Sequence, residues 1–300
     1  MMSRIEELKK EKDAVILAHY YVTPDVQDVA DYIGDSFFLA KKAKELTNKT
    51  IVFAGVNFMG ESAKMLNPEK TILMPDMTAD CPMAHMVTEE TVKAARAQYD
   101  DLAVVCYINS TAEIKSWSDV CVTSANAVKV VSNLPQKNIL FIPDRNLAHH
   151  VAKFCSDKNF IYNEGYCPRH EFMRADEIAE QKQAHPDALV LVHPECNADI
   201  LKLADHIAST SGIINFAKES DATEFIIGTE IGVWHALKQA RPDAKFYFPK
   251  TEPVCVNMKK ISLEKIIHVL KTGENAVELP PADIVSQATK TLDMMLELAK

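Results

Sequence analysis

The feature that most constrains this chain is an internal repeat. Three strand-like apolar runs, AVILAHYY (14–21), LAVVCYIN (102–109) and ALVLVHPE (188–195), each end in a polar cluster. Placing His19, Tyr107 and His193 on one another spaces the copies by 88 and 86 residues. Seventeen residues further on, DYIGDS, DVCVTS and DHIAST each end in a hydroxyl: Ser36, Ser124 and Thr210. A second set of runs, TIVFAGVN, KNILFIPD and TEFIIGTE, closes on Asn57, Asp144 and Glu230. A third leads into loops that deliver Cys81, Cys167 and Cys255, spaced by 86 and 88. Helix-like stretches begin near Thr88, Arg174 and Ser262, and the first copy has its equivalent at the N-terminus. Four landmarks that keep one spacing across three copies mark a repeat architecture.

Short unbroken apolar runs alternate with amphipathic stretches such as SFFLAKKAKEL and TEETVKAARAQY, the pattern of strand–helix–strand. Strands that are apolar on both faces and joined by helices build parallel sheet covered on both sides. The expected fold is therefore α/β: three pseudo-symmetric three-layer αβα domains with parallel sheets around a central cavity. Boundaries are expected at 1–84, 85–170 and 171–300, the last unit carrying a C-terminal helical tail. Units of ~87 residues are small and gain from packing on their neighbours.

Glycine is scarce, 8 in 300 residues, against an average near ~7%. Neither a G-x-G-x-x-G fingerprint nor a Walker loop occurs, so any anion must be gripped by another device. A net charge of −9 disfavours nucleic acid and anionic membrane surfaces. The opening residues lack the apolar core of a signal peptide, and no apolar run approaches the ~20 residues of a membrane span. Seven cysteines are scattered without the regular spacing of a secreted framework. The expectation is a cytoplasmic protein with no nucleic-acid and no membrane partner.

In parallel α/β sheets, ligands bind beyond the carboxyl ends of the strands, where every repeated landmark falls. Three units around a pseudo-threefold axis would turn Cys81, Cys167 and Cys255 toward one cavity. Cys106, Cys121 and Cys155 read as small buried hydrophobes, while Cys196 lies beside the polar cluster His193-Pro194-Glu195 without counterparts in the other copies. Three thiolates with no obvious fourth suit a [4Fe–4S] cluster with one open iron, although the ferredoxin run of C-x2-C spacings is absent. The rival is a Cys3His zinc site, since His85 follows Cys81 by four residues and His170 follows Cys167 by three. The third copy has Asn257 and Met258 at that place, which favours iron–sulfur.

Ser36, Ser124 and Thr210 are expected at helix N-caps, where free N–H groups and the helix dipole attract anions. His19 and Tyr21, Tyr107 and Asn109, and His193 and Glu195 bring proton-transfer groups to the mouth of the same cavity. The remaining histidines (His85, His149, His150, His170, His185, His206, His235, His268) read as structural or surface residues.

Together, ILAHYY, QDVADYIGDS, YINSTAE, TSANA, HPEC, IAST, GTEIG and VCVNMKK resemble the quinolinate synthase family over nearly the whole chain. The resemblance implies condensation of iminoaspartate (iminosuccinate) with dihydroxyacetone phosphate to quinolinate in NAD biosynthesis, with loss of phosphate and water. It also implies one [4Fe–4S] cluster per chain on Cys81, Cys167 and Cys255, the open iron acting as a Lewis acid for dehydration. Substrate binding would fall to His19, Ser36, Tyr107, Asn109, Ser124, His193, Glu195 and Thr210, and catalysis to Tyr21, Tyr107, His193 and Glu195. An aspartate oxidase or dehydrogenase would supply the iminoaspartate.

Two departures from the family pattern stand out. His19-Tyr20-Tyr21 replaces the common His-Asn-Tyr, and strand alternation is expected to turn Tyr20 away from the cavity. Met258 stands where some members have the second cysteine of a C-x-x-C pair, so no disulfide switch is expected there. The same residues also admit another [4Fe–4S] hydro-lyase acting on a small di- or tricarboxylate. A cluster-based sensor would have no use for three acid–base positions.

Overall fold

The computed structural model describes residues Met1 to Lys300 and holds three four-stranded sheets. The first contains β1 (Ala14–His19), β2 (Tyr32–Gly34), β3 (Thr50–Ala54) and β4 (Thr71–Leu73) in the order β2-β1-β3-β4. The second repeats this order with β5 (Leu102–Tyr107), β6 (Val120–Val122), β7 (Asn138–Ile142) and β8 (Asn159–Tyr162). The third does so with β9 (Leu189–Val192), β10 (His206–Ile207), β11 (Glu224–Gly228) and β12 (Lys245–Tyr247). Every pairing is parallel, as three αβα units require.

The edge strands β2, β6 and β10 differ from the sequence reading, which finds three strands per copy. They are two or three residues long, too short for periodicity to register. A shared aspartate holds each one: Asp31, Asp119 and Asp205 accept the backbone N–H of Ile16, Val104 and Val190 at 2.8, 2.7 and 2.8 Å. Their own N–H groups return to the carbonyls of those same residues. The aspartate that opens each repeated hexapeptide is thus a pin between edge and centre of the sheet.

Helices Glu89–Gln98, Ala175–Ala184 and Leu263–Thr272 start directly after Thr88, Arg174 and Ser262. The first packs on β5 and the second on β11, while the third returns to β3 and the N-terminal helix Met2–Glu11. The chain therefore passes to the next sheet shortly after each cysteine, and the third passage closes a ring. The C-terminal helix Ala282–Leu298 lies over β6, burying Ala288, Thr291, Leu292 and Met295 on one helical stripe.

Alternate residues of the third sheet enter separate cores, with Val190, Val192 and Ile226 in one and Leu191, Phe225 and Ile227 in the other. That is the signature of a sheet covered on both faces. The first two sheets share one continuous core. No helix is long and apolar enough to cross a membrane.

Candidate active site

Where the central strands end, apolar side chains give way to polar ones, and the three sheets turn these ends toward one cavity of about 120 Å³. On the order of ten water-sized positions fit such a volume, which suits a small polar molecule. The first copy contributes His19, Tyr21, Ser36 and Cys81 to the wall. The second supplies Tyr107, Asn109, Ser124 and Cys167, and the third His193, Glu195, Thr210 and Cys255. Cys106 and Cys121 face each other on β5 and β6 inside the core, where Cys155 is buried too. Cys196 is fully buried with its thiol on the Gly228 carbonyl at 3.3 Å, away from the cavity wall. Tyr20 packs on the core of the third sheet.

His19 and His193 are set by one local device. The backbone N–H two residues on, of Tyr21 and of Glu195, donates to the Nδ1 of each ring at 3.2 and 3.3 Å. Burial lowers the two imidazoles to about 4 and about 3 respectively, so both are neutral near pH 7. With Nδ1 accepting, the hydrogen sits on Nε2, and that of His193 meets Ser124 Oγ at 3.2 Å. Asn109, the counterpart of Tyr21 and Glu195 in the second copy, has a buried Oδ1 with no hydrogen-bond partner.

A hydrogen-bonded path crosses the cavity between the outer repeats and the second. Tyr21 Oη contacts Thr229 Oγ1 at 2.8 Å and Thr210 Oγ1 at 2.9 Å. Thr229 Oγ1 meets His170 Nε2 at 2.9 Å, and His170 Nδ1 lies 2.8 Å from Glu195 Oε2. The other oxygen of Glu195 accepts from Tyr107 Oη at 2.5 Å. Burial drives the Tyr21 and Tyr107 phenols well above their usual range, so both stay protonated. Burial opposes the charge on Glu195, but His170 and the hydrogen bonds from His170 and Tyr107 outweigh it and hold the carboxylate below its ordinary value.

This path corrects the sequence reading of His170 as a structural or surface residue. It is 1% exposed and lines the cavity. Thr229 escaped notice altogether. Neither has a counterpart in the other copies, because Val56 and Pro143 stand at the place of Thr229, so the repeat could not reveal them. The one available signal was the proximity of His170 to Cys167 in sequence.

The hydroxyl landmarks are not N-caps. Asp35 caps its helix through Phe38 N–H and Ser209 through Gly212 N–H, which puts Ser36 and Thr210 one position inside. The helix after Ser124 begins at Ala127 behind Asn126. Because a neighbour takes the capping role at Ser36 and Thr210, their own side chains are free to line the cavity.

All seven cysteines are free thiols. Burial pushes Cys81 up to about 12, with the charge of Cys255 adding to the effect. Cys167 is raised by burial, then by Glu195 and Cys81, and Cys255 by burial. Cys81 is thus linked by charge to each of the other two. The only three candidate ligand atoms within 4.8 Å of one another belong to Cys167, His170 and Glu195. His85 is bonded to Asp80 at 2.7 Å and is absent from the cavity wall.

Three α/β units that bring polar strand ends and one cysteine apiece to a common centre define a small-molecule enzyme built on a threefold repeat. The family model described as quinolinate synthetase A protein matches residues 3–297. A quinolinate synthase of Fusobacterium nucleatum is 54% identical over 299 residues, covering 100% of this chain and 99% of the relative. Quinolinate synthases of Clostridioides difficile (48% identical, 99% and 97% covered) and Methanosarcina barkeri (46%, 99% and 97%) match likewise. The chain belongs to the quinolinate synthase family, enzymes of NAD biosynthesis.

Proposed function

We propose that this chain condenses iminoaspartate with dihydroxyacetone phosphate and closes the product to quinolinate, losing phosphate and water. The observation that carries this reading is the path Tyr21–Thr229–His170–Glu195–Tyr107, which runs through a cavity lined by three convergent cysteines. Cys81, Cys167 and Cys255 suit one [4Fe–4S] cluster, because one thiol from each repeat lines the same cavity and no short-spaced pair of zinc ligands joins them, His85 being held by Asp80 off the cavity wall. When bound, the cluster supplies an open iron, a Lewis acid toward a hydroxyl or carboxylate of the reacting molecule.

The chain's own groups supply the rest. The Nε2–H donors of His19 and His193, with Ser36, Ser124 and Thr210 beside helix N-termini, hold the carboxylates and phosphate. Glu195, ionised in its buried seat, takes protons from carbon next to the carbonyl or imine. Tyr21 and Tyr107, both kept as phenols, return protons to the oxygens that leave, and Thr229 with His170 connects Tyr21 to Glu195. The reaction needs no net oxidation or reduction, so the cluster need not transfer electrons. We place the enzyme in the cytoplasm, where thiols stay reduced, supplied by an aspartate oxidase or dehydrogenase.

Anaerobically purified protein given both substrates should form quinolinate. Thr229→Val, which cuts the path at one hydroxyl, should lower kcat about a hundredfold, and Cys155→Ala should match the wild type. Cluster-bearing protein that forms no quinolinate but dehydrates a small di- or tricarboxylate would overturn this reading in favour of another hydro-lyase.

A further inference from the structure

Strands β3, β7 and β11 lead toward the loops that carry Cys81, Cys167 and Cys255, and a backbone hydrogen bond joins the two in every copy. The carbonyl two residues before each cysteine accepts the N–H of the residue three positions past the strand end. Asn57 donates to Ala79, Arg145 to Gly165 and Ile231 to Pro253, at 2.9, 2.9 and 3.1 Å. A carboxylate then takes the N–H of the cysteine itself. Asp144 Oδ2 accepts from Cys167 N–H at 3.2 Å, and Glu230 Oε1 from Cys255 N–H at 2.9 Å. In the first copy the equivalent of these acids is Asn57, whose Oδ1 is unpartnered, and Asp80 Oδ1 takes the Cys81 N–H at 2.8 Å.

The other oxygen of each acid is also engaged. Asp144 Oδ1 accepts from Leu147 N–H at 2.7 Å and Glu230 Oε2 from Gly232 N–H at 2.6 Å. Asp80 Oδ2 lies 2.7 Å from His85 Nε2. Asp144 and Glu230 are fully buried, and the reaction path uses none of the three. We propose that Asp80, Asp144 and Glu230 are positioning residues for the cavity cysteines, each fixing one cysteine by accepting its backbone N–H while its second oxygen anchors to another donor. An amide cannot serve both donors, since one of its two heads is itself an N–H group. The cysteine N–H, turned onto a carboxylate, is also unavailable to the sulfur. For the cluster, this rests on the ligand assignment proposed above; for the cysteine loops, it stands independently.

The test uses Asp80→Asn, Asp144→Asn and Glu230→Gln in the full chain, with Asp119→Asn, an N–H acceptor at an edge strand and outside the loops of the three cavity cysteines, as comparison. In metal-free protein, alkylation by iodoacetamide followed by peptide mass spectrometry reads each cysteine separately. Each variant should speed modification of its own cysteine on the order of tenfold and leave the other two near the wild-type rate. In anaerobically purified protein, the same variants should release iron to a competing chelator about tenfold faster than wild type and Asp119→Asn. Uniform acceleration at all three cysteines would mean general destabilisation and overturn the proposal, as would unchanged rates in folded variants. Asp80 is exposed enough for its variant to fold, so a failure of Asp144→Asn to fold leaves the test intact. Wild-type protein without iron and sulfide would sink the cluster assignment, and the alkylation pattern would still decide the positioning role.

Discussion

His19 shows how a backbone contact and burial together set a side chain's chemistry. Its Nδ1 is occupied by the Tyr21 N–H, and burial lowers its ionisation to about 4. The unfolded chain takes up this proton near pH 6.5, which the folded protein refuses until about 4. Acidification through that window therefore favours unfolding, by about 2 kcal/mol between pH 6.5 and 5 for this one group. In His19→Asn, whose amide oxygen can still accept the Tyr21 N–H, denaturant unfolding should show an acid loss smaller by that amount. An unchanged loss would contradict the assignment of a neutral, buried ring. At this scale the sequence reveals what the repeat copies, namely His19, Tyr107 and His193 at one position and the three cysteines at another. It conceals Thr229 and His170, because each acts in one copy only and through a partner from a distant part of the chain.

Among the elements, the helix ends are where local chemistry and site geometry meet. Asp35 and Ser209 cap their helices so that Ser36 and Thr210 reach the cavity. Asp35→Ala and Ser209→Ala should each cost about 1 kcal/mol of stability and raise KM more than they lower kcat; unchanged stability and KM would contradict the capping role. The sequence places a hydroxyl at each helix start but misplaces two caps by one residue, since Asp-Ser and Ser-Thr each offer two capping candidates in a row. Helix C-termini are secured by buried or half-buried cations. Lys70 donates to the Ala43 and Leu46 carbonyls at 2.9 and 2.6 Å, Lys158 to Leu134 at 2.6 Å, and Arg241 to Ala217 and Ser220 at 2.8 Å. Lys70 and Lys158 directly precede β4 and β8, whereas Arg241 stands four residues before β12, so the third copy takes the same role with another residue type out of register.

For the whole molecule, the repeat spacing foretold three parallel-sheet units around one cavity, and the ring closes because the helix after Cys255 packs back on the first sheet. The uneven distribution of the core was not legible. The first two sheets share one apolar cluster, whereas the third keeps its own, on which Tyr20 packs, and adds polar contacts that include Gln27 to Gly232 (3.1 Å), Asn146 to the Glu195 carbonyl (3.0 Å) and Lys259 to the Tyr21 carbonyl (2.5 Å). Composition cannot report which sheets share a core. The shortage of glycine, by contrast, has a structural counterpart: helix starts and convergent side chains surround the cavity in place of a glycine-rich loop.

The central claim is that one cysteine from each repeat holds a shared cluster at the centre of the ring. Iron and acid-labile sulfide analysis of anaerobically purified protein tests it most directly. The account predicts about four of each per chain, lost in Cys81→Ala, Cys167→Ala and Cys255→Ala and retained in Cys155→Ala. A colourless protein with a single zinc, or a full cluster in Cys81→Ala, would contradict it.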